Sequence, residues 1–271
     1  MDPPTLRAAK RIAPGAIFVD YQTDNPFGNR TREAKLWGKF IASIPEYDIH
    51  FVFRPHDISA YRASGATDVY LTRHHYYPAL HAPPAQATET ADYQHEVLFI
   101  GTAIDRRVDA IARLLASASV QVDVYGGLWN RHIVYYRHRR HFHGNVHESQ
   151  YAALVAKSKI CLGFVSASNR DDYTGRSIEI PACGGFLLAE RTEKHRELYA
   201  EGREAAFFGS SDECLEKIRY YLSHDEERRA IADAGTRRCL ASGNSCVEVM
   251  SDALAQIEIV SSGIADEGGR R

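Results

Sequence analysis

Short apolar runs alternate with helical patterns along most of the chain, and this alternation limits what it can fold into more than any other feature. Val97–Gly101, Val120–Tyr125, Lys159–Phe164 and Gly185–Ala189 are brief and mainly apolar; three of them contain a glycine and Val120–Tyr125 runs directly into one. Between and after them come stretches with helical spacing at 108–115, 148–156, 212–222, 226–240 and 247–257. Strands apolar on both faces and separated by helices predict parallel βαβ units with a sheet covered on each side. The same alternation, in shorter form, precedes residue 82. Ala16–Asp20, Ile49–Phe53 and Asp68–Thr72 read as strands, with helices at 36–43 and 58–64 between them.

A break separates the two series. Residues 82–92 are rich in Pro, Ala and Thr and have no periodicity, so they read as a linker. The expected organisation is a partial first lobe at 1–81, a linker at 82–93, a complete second lobe at 94–257 and a frayed tail at 258–271. Three strands are few for a free-standing α/β domain, so the first lobe is expected to be abbreviated. The 271 residues suffice for one large or two small domains. A formal net charge of −2 gives no global reason to expect nucleic acid or an anionic surface as partner. No apolar run reaches the ~18 residues of a spanning helix. The opening residues lack the apolar core of a signal peptide. Five scattered cysteines, none in C-x-x-C spacing, read as reduced thiols and point to the cytoplasm.

In open parallel sheets ligands bind beyond the carboxyl ends of the strands, often at helix N-termini. That rule selects four loops. Gly101–Arg107 follows the first strand of the second series, and Arg106 and Arg107 stand where a diphosphate could be clamped. On the residues alone, a solvated arginine pair at a helix start is an equal alternative. Tyr125-Gly126-Gly127 lets backbone approach a ligand closely and leads into residues 131–143, with four Arg and four His among aromatics. Such a mixture can bind nucleic acid, but the near-neutral overall charge favours a solvated loop or contact with an anionic substrate. Residues 169–185 hold the third loop. Thr174 and Gly175 would open a short helix, with Pro181 near its first turn, and Glu179 would lie beside the site. A carboxylate there can accept both hydroxyls of a ribose diol, or can simply be favoured by the helix N-terminus. The fourth, at 143–146, would place Val146 beside the base of a nucleotide. No D-x-D motif and no zinc-spaced cluster occurs, so metal ligands are expected to be none.

Residues 172–192, followed by Phe207-Phe208 and 217–222, resemble the CgeB-like (spore maturation protein) glycosyltransferases, a branch of the retaining GT-B superfamily with E-x7-E donor sites. Looser matches at Asp24–Pro26, Tyr47-Asp48 and Gly65-Ala66 extend the likeness to about residues 10–245. The resemblance implies an α/β, GT-B-like fold of two Rossmann-like lobes. It implies a nucleotide-diphosphate-sugar donor as substrate, no tightly bound cofactor, and an acceptor held by the first lobe. Glu179 matches the second Glu of the pattern, implying ribose recognition. Eight positions earlier stands Asp171 rather than Glu, a shorter carboxylate toward the sugar. Arg106 or Arg107 would meet the diphosphate, and Arg176, Gly184 and Gly185 would line the pocket. Glu179, Asp171 and Arg107 are thus the expected catalytic set. Full-length relatives begin with a complete first lobe, so the resemblance implies that roughly 60–100 residues of it are missing here. The alternative to a transferase is a non-catalytic nucleotide- or partner-binding module on the same scaffold.

Overall fold

The computed structural model describes residues 1–28, 34–83 and 93–268. The chain divides into two compact units, each assembled from separate stretches of sequence.

The first unit comprises Met1–His74, Ser168–Asp171 and Val247–Arg271. Helix α1 (Pro3–Ile12) opens it. The Asp2 carboxylate accepts from Thr5 N at 3.1 Å, and prolines fill the first helical positions, where a missing N–H costs nothing. Strands β1 (Val19–Gln22), β2 (Ile49–Val52) and β3 (Asp68–Leu71) form a three-stranded parallel sheet in that order, with Val19 opposite Ile49 and Ile49 opposite Asp68. β1 begins later than its apolar run suggests. Helices α2 (Ala34–Ser43) and α3 (Pro55–Ala63) connect the strands. Trp37, Phe40 and Tyr61 from these helices pack with Val52 and Val69.

On a separate core of the same unit, Ile49 and Phe51 meet Ala253, with Ile257 and Val260 alongside. These last three belong to α11 (Cys246–Gly268), spaced as one helical face. The C-terminal helix therefore belongs with the first sheet, not with the second lobe to which residues 247–257 were expected to belong. Periodicity shows that a helix has an apolar face, but not which sheet the face will cover. The helix also runs through most of the expected tail.

The second unit, His75–Ala167 with Asp172–Cys246, holds a five-stranded parallel sheet. Its strands are β4 (His95–Ile100), β5 (Val122–Tyr125), β6 (Ser158–Gly163), β7 (Leu187–Glu190) and β8 (Ala206–Phe208), in the order β5-β4-β6-β7-β8. Side chains alternate between two cores. Val97, Phe99, Ile160, Leu162 and Leu188 enter one, and Leu98, Cys161, Leu187, Ala189 and Phe207 enter the other. Burial on both faces is why these strands read as unbroken apolar runs. Helices α4 (Arg107–Ala116), α5 (Ile133–Arg137), α6 (Glu148–Ala156), α7 (Arg176–Ala182), α8 (Glu193–Leu198), α9 (Ser211–Ser223) and α10 (Asp225–Leu240) complete the unit. Residues 75–81, expected in the first lobe, also group here. Most of the expected linker, residues 84–92, lies outside the described residues.

All five cysteines are free thiols. Cys161, Cys183, Cys214 and Cys239 are buried, whereas Cys246 is half-buried. Burial pushes the thiols of Cys183 and Cys214 up to about 12 and that of Cys239 to about 11, and it raises Cys161 as well.

Candidate functional site

The strand order of the second sheet places its topological switch between β4 and β6, since the chain moves outward to β5 and then returns to the other side of β4. Ligands of doubly wound sheets bind at the carboxyl ends beside such a point. A cavity of about 370 Å³ opens there, a volume suited to a small ligand. Its lining includes Ile100, Gly101 and Thr102 after β4, Gly126 and Gly127 after β5, and Asn145 and Val146 before α6. Glu148 and Tyr151 of α6, Arg176 and Glu179 of α7, and Tyr77, Leu80 and His81 complete it.

The two glycine loops form one surface because they touch. Gly126 has φ +132°, and a Cβ there would stand 2.3 Å from Gly101 O, so no other residue fits without moving that backbone. Gly101 N donates to Tyr125 O at 2.9 Å, Ala103 N to Gly127 O at 3.0 Å, and the Trp129 indole to Gly101 O at 2.9 Å. Tyr125 stacks on His143 beside this surface, with ring centroids 4.4 Å apart.

Helix α7 carries the charged wall. Gly175 is its N-cap, and a Cβ at this position would lie 3.0 Å from Glu179 Oε1. Arg176 and Glu179, one turn apart, form an ion pair. The Arg176 guanidinium also lies over the Tyr151 ring, 4.5 Å from its centroid, and its Nε donates to Ile100 O at 3.3 Å. Pro181 falls inside the helix rather than in its first turn. A proline there cannot donate to the carbonyl of Ser177. The Tyr199 hydroxyl donates to that carbonyl instead, at 2.9 Å. The Ser177 hydroxyl donates to His195 Nε2 at 2.7 Å, while His195 Nδ1 donates to Glu190 O at 2.7 Å. Burial holds this imidazole down at about 4, so it is neutral and fixed in one tautomer. The helix bearing Glu179 is thus braced from α8 and from Tyr199, the residue that ends α8, by hydrogen bonds that its own sequence cannot supply.

His81 forms another wall. Its Nδ1 accepts from Tyr77 N at 3.1 Å, which leaves the proton of the neutral ring on Nε2. The ring packs edge-on against Tyr151, with centroids 5.3 Å apart. Burial lowers the His81 pKa, and the carboxylate of Glu179 partly opposes this.

Of the residues expected at the site, Gly101, Gly126, Val146, Arg176 and Glu179 line this cavity; Tyr125 and Gly175 adjoin lining residues in the chain, and Thr174 stands two residues before Arg176. Gly184, with φ +83°, lies just beyond α7 and outside the lining. Arg106 is the N-cap of α4, and Arg107 Nη2 reaches Val165 O at 3.5 Å; neither lines the cavity. Asp171 groups with the first unit, where Arg54 Nε donates to its Oδ1 at 2.6 Å. Arg54 also donates to Asp57 Oδ2 at 3.3 Å and to Thr23 O at 2.9 Å. Tyr77, Leu80, His81 and Tyr151 are lining residues that sequence reasoning did not find. The first three lie outside any βαβ element, and Tyr151 reads as an ordinary core aromatic on a helix. Among the described residues no group of His, Cys, Asp and Glu is placed to hold a metal ion.

The open parallel sheet, with its glycine-lined, carboxylate-bearing pocket at the switch point, matches the architecture of GT-B glycosyltransferase structures. The chain belongs to the glycosyl transferase-like family, whose profile matches residues 106–255. Among solved structures it is similar to HepE from Anabaena in complex with UDP-glucose, with 14% identity and a TM-score of 0.67 over 94% of this chain and 74% of that one. It is also similar to sucrose-phosphate synthase from Thermosynechococcus elongatus, with 15% identity and a TM-score of 0.63 over 86% of this chain and 64% of that one. TarM from S. aureus matches at 10% identity with a TM-score of 0.64 over 88% of this chain, which spans half of TarM. No curated protein matches the chain. Among the described residues, no helix is long and apolar enough to cross a membrane.

Proposed function

We propose that the second unit binds a nucleoside-diphosphate sugar and that the protein transfers the sugar to an acceptor. The observation that carries this reading is the cavity at the sheet's switch point, with Glu179 and Arg176 on one wall and the Gly101 and Gly126 loops on another. Glu179 accepts from the ribose hydroxyls, because a carboxylate offers acceptors to both donors of a diol. Arg176 is charged and already at the pocket, so it can turn from Glu179 to a phosphate oxygen. Arg106 and Arg107 at the start of α4 supply further positive charge to the diphosphate. As the glycosidic bond breaks, negative charge grows on that diphosphate, and the arginines stabilise it without proton transfer. HepE and TarM were both solved with UDP, which favours a uridine donor here. Placement in the CgeB-like branch rests on residues 172–192 and brings with it retention of configuration, whereas action without a divalent ion is read from the absent D-x-D motif and a cytoplasmic setting from the scattered, unpaired cysteines.

The test is a melting series with UDP, GDP, ADP, CDP and dTDP in the presence of a chelator, followed by transfer and hydrolysis assays on the nucleotide sugars that bind. At a ligand concentration about 100 times Kd the stabilisation is about 2.7 kcal/mol. If no nucleotide raises the melting temperature, the donor reading is wrong. If one does but its sugar is neither transferred nor hydrolysed with any acceptor tried, a binding module replaces the transferase.

A further inference from the structure

Between Asp123 and Glu148 the sequence contains no acidic residue, yet it contains Arg131, Arg137, Arg139, Arg140 and five histidines. In a chain whose formal net charge is −2, this is a local concentration of positive charge that the donor pocket does not use. The fold holds it in place. After β5 the chain makes a 3-10 turn at Trp129–Arg131, the short helix α5, and a second 3-10 turn at Arg139–His141. Trp129, Val134 and Phe142 anchor this segment from beneath, each buried in the core of the second sheet. His143 N donates to Val124 O at 2.8 Å and closes its far end.

Outward from these anchors stand the four arginines, all exposed. None forms an ion pair among the described residues. Arg139 lies over the Tyr135 ring at 4.7 Å and donates to Phe142 O, and Arg140 donates to His141. Among the arginines stand exposed apolar side chains: Ile133 and Tyr136, each 65% exposed, and Leu128, 38% exposed. The Tyr136 hydroxyl is satisfied by Asn130 O at 3.0 Å, leaving the ring to face outward.

Arginines without acidic partners select an anionic surface. The apolar side chains decide which kind. A nucleic acid offers phosphates for the arginines and base faces for Tyr136, but far less apolar surface for Ile133 and Leu128 than an acyl layer does. The interface of an anionic bilayer offers phosphates for the arginines and an acyl boundary a few ångströms deeper for Ile, Leu and Tyr. Arginine suits this boundary because its stem packs on apolar groups while its head stays with the phosphates. We propose that residues 128–140 form a docking surface for membranes rich in anionic phospholipid, holding the protein at the surface without insertion of a helix. This is independent of the donor reading.

The test is sedimentation of the full chain with vesicles of equal parts phosphatidylglycerol and phosphatidylcholine, against vesicles of phosphatidylcholine alone. The protein is expected to pellet with the first and not the second, and raised salt should release it. Replacing Arg131, Arg137 and Arg140 together by Gln should weaken partitioning about a hundredfold, since each arginine near such a surface contributes roughly a fivefold factor. Ile133→Ser should weaken it several-fold with all charges kept. Both variants change exposed side chains, and unchanged circular dichroism and melting confirm that the fold stands. Equal binding to both vesicles, undiminished binding by the triple variant, or binding of single-stranded RNA without binding of either vesicle would each overturn the proposal.

Discussion

Two arginine–carboxylate pairs invite comparison. In the second unit, Arg176 and Glu179 have side chains 36% and 17% exposed and form part of a cavity wall. In the first, Arg54 and Asp171 are 4% and 7% exposed, and the same guanidinium is also tied to Asp57 and to the carbonyl of Thr23. The chemistry is the same, but the freedom differs. The open pair can trade one partner for a ligand group of like charge. The closed pair can trade nothing without leaving a buried ion unpaired. A carboxylate's place in a sequence motif therefore does not settle its surroundings: Asp171 is held in a buried pair, whereas Glu179 lines a cavity.

The strongest way to break this comparison is at the closed pair. Arg54→Ala should cost about 3–5 kcal/mol of folding stability, because it takes the guanidinium away from two buried carboxylates, Asp171 and Asp57. Denaturant unfolding measures this, and a loss below about 1 kcal/mol, typical of an exposed pair, would remove the distinction. The next effect concerns the support beneath the open pair. The unfolded chain gains a proton on His195 near pH 6.5, whereas the native state accepts one only near 4. The contribution of His195 is thus complete above pH 6.5 and is lost as pH falls toward 4, about 3 kcal/mol in all. His195→Gln should flatten the stability profile across that window. A profile identical in slope to the wild type would refute the neutral brace.

At the open pair, Glu179→Gln should leave melting nearly unchanged and weaken UDP by about 1.5–3 kcal/mol, as measured by calorimetry. The 2′-deoxy nucleotide should bind the wild type less well yet lose less on mutation, because one of the shared bonds is already gone. Simple additivity of the two changes would sink the ribose assignment. The smallest effect is expected at His81. Asn in its place can still accept from Tyr77 N while removing the Nε2–H donor, so His81→Asn should weaken UDP by about 0.5–1.5 kcal/mol without lowering the melting point. A drop in melting temperature with intact affinity would mark His81 as a packing residue only.

Much of the second unit can be read in the sequence because burial on both faces turns β4, β6 and β7 into apolar runs that glycine interrupts. β8, only Ala206–Phe208, is too short to stand out, although its residues are fully buried. α1 carries a legible signal of its own, Asp2 before two prolines. Other features depend on contacts distant in sequence. Nothing near Pro181 announces that Tyr199 will satisfy the carbonyl it leaves open. Nothing in residues 253–260 says that their apolar face meets Ile49 and Phe51. At the site, Glu179, Gly101 and Gly126 could be found because loops after strands follow a rule of position. His81 could not, since it reaches the pocket from a turn that belongs to no regular element.

The distribution of thiols has a practical consequence. Four cysteines are sealed in the interior, and burial keeps their sulfurs protonated, which is the unreactive form. Cys246 alone is partly open, at the first residue of α11, where the chain passes from the second unit to the first. A maleimide dye offered to the native protein should therefore label one position without any engineering. The attached fluorophore would sit at the first turn of α11, ready to report on local changes there by its colour or lifetime.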